Sequence, residues 1–169
     1  MARRRSDATL LAPGETAADA RVALRRTSDA DLELIAGWYG EALATATGAA
    51  DAGARLQGPE ILAITLPDRD EPAGVLEFAI GEPAQGWLQV RFIAIERSLR
   101  GWGYGSEAMR LLEDLARRRA GGRRFWAHIR PANGLNVYFW LRLGYRPALP
   151  DDGLPHPADG LVMVYEAPA

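Results

Sequence analysis

Residues 100 to 106, RGWGYGS, set Gly101, Gly103 and Gly105 at alternate positions just before a run with helical periodicity. Missing side chains let the backbone amides of a loop and of a helix's first turn approach an anion. A strand, a glycine loop and a helix N-terminus in that order therefore predict a phosphate cradle. A tight strand-to-helix turn that binds nothing has the same spacing, so both alternatives stand at this point. Two better-known phosphate loops are excluded. The Walker loop needs a lysine, and this chain contains none. The dinucleotide fingerprint wants a third glycine where Ser106 stands, and usually follows a first strand, whereas several patterned stretches precede this loop. Other reactive groups are scarce. With no cysteine there is no thiol nucleophile and no disulfide, and without lysine there is no Schiff-base chemistry. His128 and His156 are the only imidazoles, so no metal site is expected.

The elements that would hold the loop can be read from periodicity. RVALRR (21–26) alternates as a strand, and TSDADLELIAGWYGEALATATG follows with helical spacing at Leu32, Ile35, Trp38 and Tyr39, with Thr27, Ser28 and Asp29 as capping candidates. Residues 60–66 and 73–81 read as strands joined across PDRDEP, and WLQVRFIAI (87–95) as a third. Residues 48–59, rich in alanine and glycine, fit either loop or frayed helix. The helix over 105–120 carries Ala108, Leu112 and Leu115 on one stripe and closes at Gly121-Gly122. Residues 123–129 form a strand, 133–144 a helix, and YRPAL and LVMVYEA two closing strands. Residues 1–20 read as a flexible extension and 21–169 as one domain of mixed α/β class. A net charge of −2 gives no pull towards nucleic acid or a membrane surface, and the arginine runs at 2–5 and 116–124 lack interleaved aromatics. No apolar run approaches a membrane span, and the N-terminal apolar stretch is too short for a secretory signal. A cytoplasmic location is expected.

Two segments carry a family resemblance. IAIERSLRGWGYGSEAMRLLEDLA resembles the acetyl-CoA-binding segment of the GNAT superfamily of N-acetyltransferases, whose signature Arg/Gln-x-x-Gly-x-Gly/Ala is met by Arg100, Gly103 and Gly105. NGLNVYFWLRLGY is similar to the family's Asn-x-x-x-x-x-x-Tyr-x-x-x-Gly-Phe, with Asn133, Gly144 and Tyr145 in register. LRRTSDADLELIAGWY looks like the family's first strand and helix, and the likeness runs over residues 21 to 167. It implies a mixed, mostly antiparallel central sheet flanked by helices, with acetyl-CoA as acetyl donor. Arg100 and the amides of Gly101, Trp102, Gly103, Tyr104, Gly105 and Ser106 would hold the diphosphate. Ile93, Ala94 and Ile95 would pair their backbone with the pantetheine arm between two splayed strands. The amide near Ile93 would face the thioester carbonyl, and Asn133 would touch the cofactor from the other side.

The resemblance also marks where this chain departs from its family. Trp140 stands where the family often has a tyrosine acid, and an indole cannot serve. Tyr138, two residues earlier, is the remaining phenol, about 200° away round the helix, and packing is its other role. Gln89 stands where the family often has a glutamate base. Some ribosomal-protein-type members place a glutamate five residues before the motif asparagine, and that register falls on His128. A histidine titrates near neutrality, which suits a base, although a structural histidine fits equally. Glu77, between Leu76 and Phe78, is the reserve base, and Gln89 and Arg91 share a strand face towards the acceptor. The implied acceptor is a small-molecule amine or a peptide N-terminus, with a homodimer as a candidate assembly. A non-catalytic acyl-CoA-binding regulatory module is the alternative, kept open by Trp140 and Gln89.

Overall fold

Each alternating or helical stretch forms an element of its own in the computed structural model, which describes residues 9–46, 60–130 and 134–168. The strands are β1 (Thr16–Ala18), β2 (Ala23–Arg26), β3 (Ile61–Leu66), β4 (Arg69–Ile80), β5 (Trp87–Ile95), β6 (Arg124–Ile129), β7 (Arg146–Pro147) and β8 (Leu161–Glu166). The helices are α1 (Asp29–Ala46), α2 (Tyr104–Ala120) and α3 (Gly134–Arg142). One sheet runs β1-β2-β3-β4-β5-β6-β8-β7, antiparallel except where β6 joins β5 through the α2 crossover. This is the mixed, mostly antiparallel single domain that the resemblance implies.

The strands sort their side chains between two faces. Leu62, Ile64, Leu76, Leu88, Val90, Phe125 and Ala127 meet Leu112 and Leu115 of α2 and Trp140 of α3 in the main core. Ile61, Val75, Phe92 and Ala94 meet Ile35 of α1 on the other face. Ser28 caps α1: Asp31 N donates to Ser28 Oγ at 3.2 Å, and Ser28 N donates to Asp31 Oδ2 at 2.7 Å. Arg25 holds the same carboxylate from β2, keeping it at about 2. At the far end of α2, Gly121 takes the left-handed conformation that ends the helix.

Two expectations are corrected. The loose extension over 1–20 does not hold for residues 9–20. Leu10 and Leu11 are buried in the main core, and β1 pairs with β2. Arg119 of α2 donates to the Leu10 carbonyl at 2.8 Å. Two adjacent leucines carry no periodicity, yet their burial is favourable enough to order the segment. The turn expected over PDRDEP is also shorter: β4 begins at Arg69, and Leu66 pairs with Arg69 across Pro67-Asp68.

One partly buried polar pair ties α2 to the turn after α3. Tyr145, 2% exposed, donates to Glu113 Oε1 at 2.8 Å, and burial pushes the Glu113 carboxyl up to about 7. The folded protein thus binds this proton more tightly than the unfolded chain. The stability it contributes is full below the ordinary value of 4.5 and is lost as pH rises through about 7. The loss is at most about 3 kcal/mol. Glu113→Gln keeps an acceptor for Tyr145 and removes the charge. The melting temperature of this variant minus that of the parent is expected to rise between about pH 5 and about pH 8. A difference that is flat across that range would show that Glu113 does not titrate there.

Candidate active site

The site begins with a register shift in the middle of the sheet. Glu77 of β4 pairs with Phe92 of β5, but Phe78 pairs with Val90, so Arg91 is an extra residue, a β-bulge. The bulge reverses the alternation: Leu88 and Val90 face the main core before it, and Ile93 and Ile95 do so after it. Phe92 and Ala94 then face α1. The parallel ladder to β6 stops at the same place. It pairs Trp87–Val90 with Arg124–Ala127 and goes no further, while β6 continues alongside β8 to Ile129. Beyond Val90 the two strands part, and a cavity of about 380 Å³ opens between them. Ile93, Ala94 and Ile95 line it, with Ala127, His128 and Ile129 opposite and Phe139 and Trp140 of α3 as a wall.

The glycine loop closes one end. Arg100, Gly101, Gly103, Tyr104, Gly105 and Ser106 line the same cavity. Gly101 and Gly103 have φ of +86° and +88°, a region that side chains avoid. Gly103 is also the N-cap of α2 and offers no side chain to the first-turn amides. Those donors and the positive end of the helix dipole are therefore available to an anion. A Cβ on Gly105 would stand 3.4 Å from Phe139 Cε2 and 3.5 Å from Ile95 Cγ1, in van der Waals contact with α3 and β5. Arg100 folds back over β5, its Nε donating to the Ile95 carbonyl at 2.9 Å.

The other end opens towards the α1 face. His128 alternates with Ala127 and Ile129, which are in the main core, and so lies on the opposite side with its partner Val162. It is half-buried, and its Nε2 donates to the Asp159 carbonyl at 2.6 Å. That bond selects the tautomer and leaves Nδ1 as the ring atom able to accept a proton. Gly160 makes the approach of this loop possible, with φ of +85° and no room for a Cβ against Ile129 and His128. Across the gap, Glu77 is 9% exposed on the α1 face, with Arg91 Nη1 3.8 Å away. Arg91 also lies 3.6 Å from Glu60 and 3.8 Å from Glu82, and its Nε faces Gln89 at 3.5 Å. The bulge therefore carries one guanidinium among three carboxylates.

Not every candidate comes to the cavity. Tyr138 is 56% exposed beneath the Arg142 guanidinium, 5.7 Å from the ring centroid, and does not line it. The rotation round α3 that turns Trp140 inward turns Tyr138 outward. Trp102 is 67% exposed and also stands outside the lining, as does Glu77, which sits behind Arg91. Asn133 lies outside the described residues. The bulge, Gly160 and the Asp159 carbonyl carry no local sequence signal, since each gains its role from a partner on another element. Chemically, the geometry offers an anion cradle, a slot between parted strands and a half-buried imidazole at their far side. No cluster of three metal-ligating side chains occurs among the described residues.

Comparison with known proteins bears on the family and on the fold. A family model described as Acetyltransferase (GNAT) family matches residues 28–145. A search of curated protein sequences finds no match. The fold is similar to that of an acetyltransferase from Agrobacterium tumefaciens str. C58, with a TM-score of 0.70 and 19% identity over 90% of this chain and 94% of that one. It is also similar to a ribosomal alpha-N-protein acetyltransferase in complex with coenzyme A, with a TM-score of 0.67 and 17% identity over 90% and 98% of the two chains. N-acetylglutamate synthase from Neisseria gonorrhoeae, complexed with coenzyme A and L-arginine, gives a TM-score of 0.65 and 17% identity over 88% of this chain and 34% of that one.

Proposed function

Since the chain belongs to the GNAT acetyltransferase family, we propose that it moves the acetyl group of acetyl-CoA to a primary amine of a small molecule or a protein N-terminus. The observation that carries this is the parting of β5 and β6 beyond Val90, directly beside the glycine loop. An extended arm fits between the strands, with its anionic end on α2. The residues present suit that ligand: positive-φ glycines, an N-cap without a side chain, and Arg100 at the rim. Acetyl-CoA, when bound, supplies an acetyl group already activated as a thioester.

The rest is done by side chains and amides of this chain. Arg100 and the amides of Gly101, Gly103, Tyr104, Gly105 and Ser106 hold the diphosphate. The backbone of Ile93 to Ile95 aligns the arm, and the amide near Ile93, just past the bulge, donates to the thioester carbonyl. His128 takes the amine's proton at Nδ1, while its Nε2 stays on Asp159. Glu77, behind Arg91, is the reserve base. As the amine nitrogen bonds to the carbonyl carbon, the C–S bond breaks. The thiolate leaves to take its proton from solvent, since Trp140 supplies none from the position where the family often has a tyrosine. Glu60, Glu77 and Glu82 outweigh Arg91 in charge on this face, which suits an acceptor that arrives as an ammonium ion. We place the enzyme in the cytoplasm.

The test is thiol release from acetyl-CoA with a panel of amines, together with melting curves. Amine-dependent release above background is expected. Acetyl-CoA should raise the melting temperature well beyond pantetheine, which lacks the diphosphate. Stabilisation without amine-dependent release would favour the acyl-CoA-binding module. Equal shifts from both ligands would remove the diphosphate from the glycine loop.

A further inference from the structure

Arg21 lies outside the cavity, in the turn between β1 and β2, yet its side chain spans the back of the glycine loop. Its backbone is fixed by Asp19, whose Oδ1 accepts from the amides of Arg21 and Val22 at 2.8 and 3.0 Å. From there Nη2 donates to the Trp102 carbonyl at 2.8 Å, and Nη1 pairs with Glu107 Oε1 at 2.5 Å. The guanidinium also sits 5.1 Å from the centroid of the Tyr104 ring. One side chain thus grips three positions of the segment 102–107.

Glu107 makes this grip matter. It stands in the first turn of α2, where a carboxylate is drawn towards the unsatisfied amides of its own helix. Its Oε1 lies 4.0 Å from where a Cβ on Gly103 would stand, so the loop is within its reach. Its Oε2 is buried with no hydrogen-bond partner among the described residues, which leaves Arg21 to compensate the charge. Without Arg21, a half-buried carboxylate would be free to turn towards the amides that an anion must use. Trp102, whose carbonyl Arg21 holds, is also the one residue between Arg100 and Ser106 that does not line the cavity.

We propose that Arg21 is a positioning residue of the diphosphate loop: it draws the Glu107 carboxylate off the first-turn amides of α2 and pins Trp102, keeping the cavity side of the loop open to an anion. This rests on the proposal above that the loop receives the diphosphate of coenzyme A.

The experiment is calorimetric titration of the full chain with coenzyme A and with pantetheine, for the parent, Arg21→Met, Glu107→Gln and the double variant. Arg21→Met is expected to weaken coenzyme A by roughly ten- to a hundredfold, and pantetheine by less than about twofold. The double variant should regain most of the loss, because the charge that Arg21 restrains is gone. A parent that does not bind coenzyme A would overturn the diphosphate assignment and this proposal with it. A parent that binds while Arg21→Met binds equally well would overturn this proposal alone. So would a loss that Glu107→Gln does not rescue, or one shared equally by pantetheine. If Arg21→Met does not fold, Arg21→Lys decides. A several-fold loss for coenzyme A with none for pantetheine supports the proposal, and parental affinity overturns it.

Discussion

His128→Gln is expected to lower kcat/KM for acetyl transfer by roughly a hundredfold or more, within the range that a positioned general base contributes. Affinity for coenzyme A should stay near that of the parent, because the diphosphate loop and the β5 backbone are untouched. The substitution is selective for a physical reason. Glutamine still has an N–H to donate to the Asp159 carbonyl, now held at 2.6 Å by Nε2, so the 159–160 loop keeps its anchor. What it lacks is a basic nitrogen in the place of Nδ1. An imidazole must be neutral to accept a proton, so the parent's kcat/KM should fall on the acidic side, and the variant should lose that limb. The comparison is pH–rate profiles of both proteins on one acceptor. An acidic limb that survives unchanged in His128→Gln would clear His128 and turn attention to Glu77.

Gly105→Val should abolish measurable binding of coenzyme A, a loss on the order of a hundredfold or more. Gly105 is helical rather than left-handed, so backbone strain is not the issue; space is. A Cβ there would already touch Phe139 and Ile95 at 3.4 and 3.5 Å. The two γ-carbons of valine must then either push α3 away from β5 or project into the cavity where the diphosphate would lie. Displacing Phe139 costs about 1–3 kcal/mol, which a domain of this size survives, so the variant should fold with a lowered melting temperature. Gly105→Ala is the control, since its methyl makes only close van der Waals contact and should retain most of the affinity. Parental affinity in Gly105→Val would make Gly105 a packing residue without a role at the ligand.

Local pattern told most of what local forces decide. The bounds of β5, the body of α2 and its glycine stop follow from periodicity and chain punctuation, because an amphipathic helix or strand declares its buried face within its own residues. The glycine loop was legible for the same reason: strand, bare backbone and helix N-terminus adjoin in sequence as in space. The opposite facing of His128 from Ala127 and Ile129 follows equally from β6 being a strand.

What tertiary structure alone decided are the relations between elements. The bulge at Arg91 exists only in the register of β5 against β4, and the parting of β5 from β6 only in how far a parallel ladder extends. Leu10 and Leu11 sit in a segment without periodicity, and their burial depends on the core that receives them. The tautomer of His128 is set by Asp159, the freedom of the loop amides by Arg21, and the raised carboxyl of Glu113 by the cover that Tyr145 and the surrounding core provide. In each case the partner lies on another element. Burial and hydrogen-bond geometry between distant residues are fixed by packing, which periodicity within a single element does not encode.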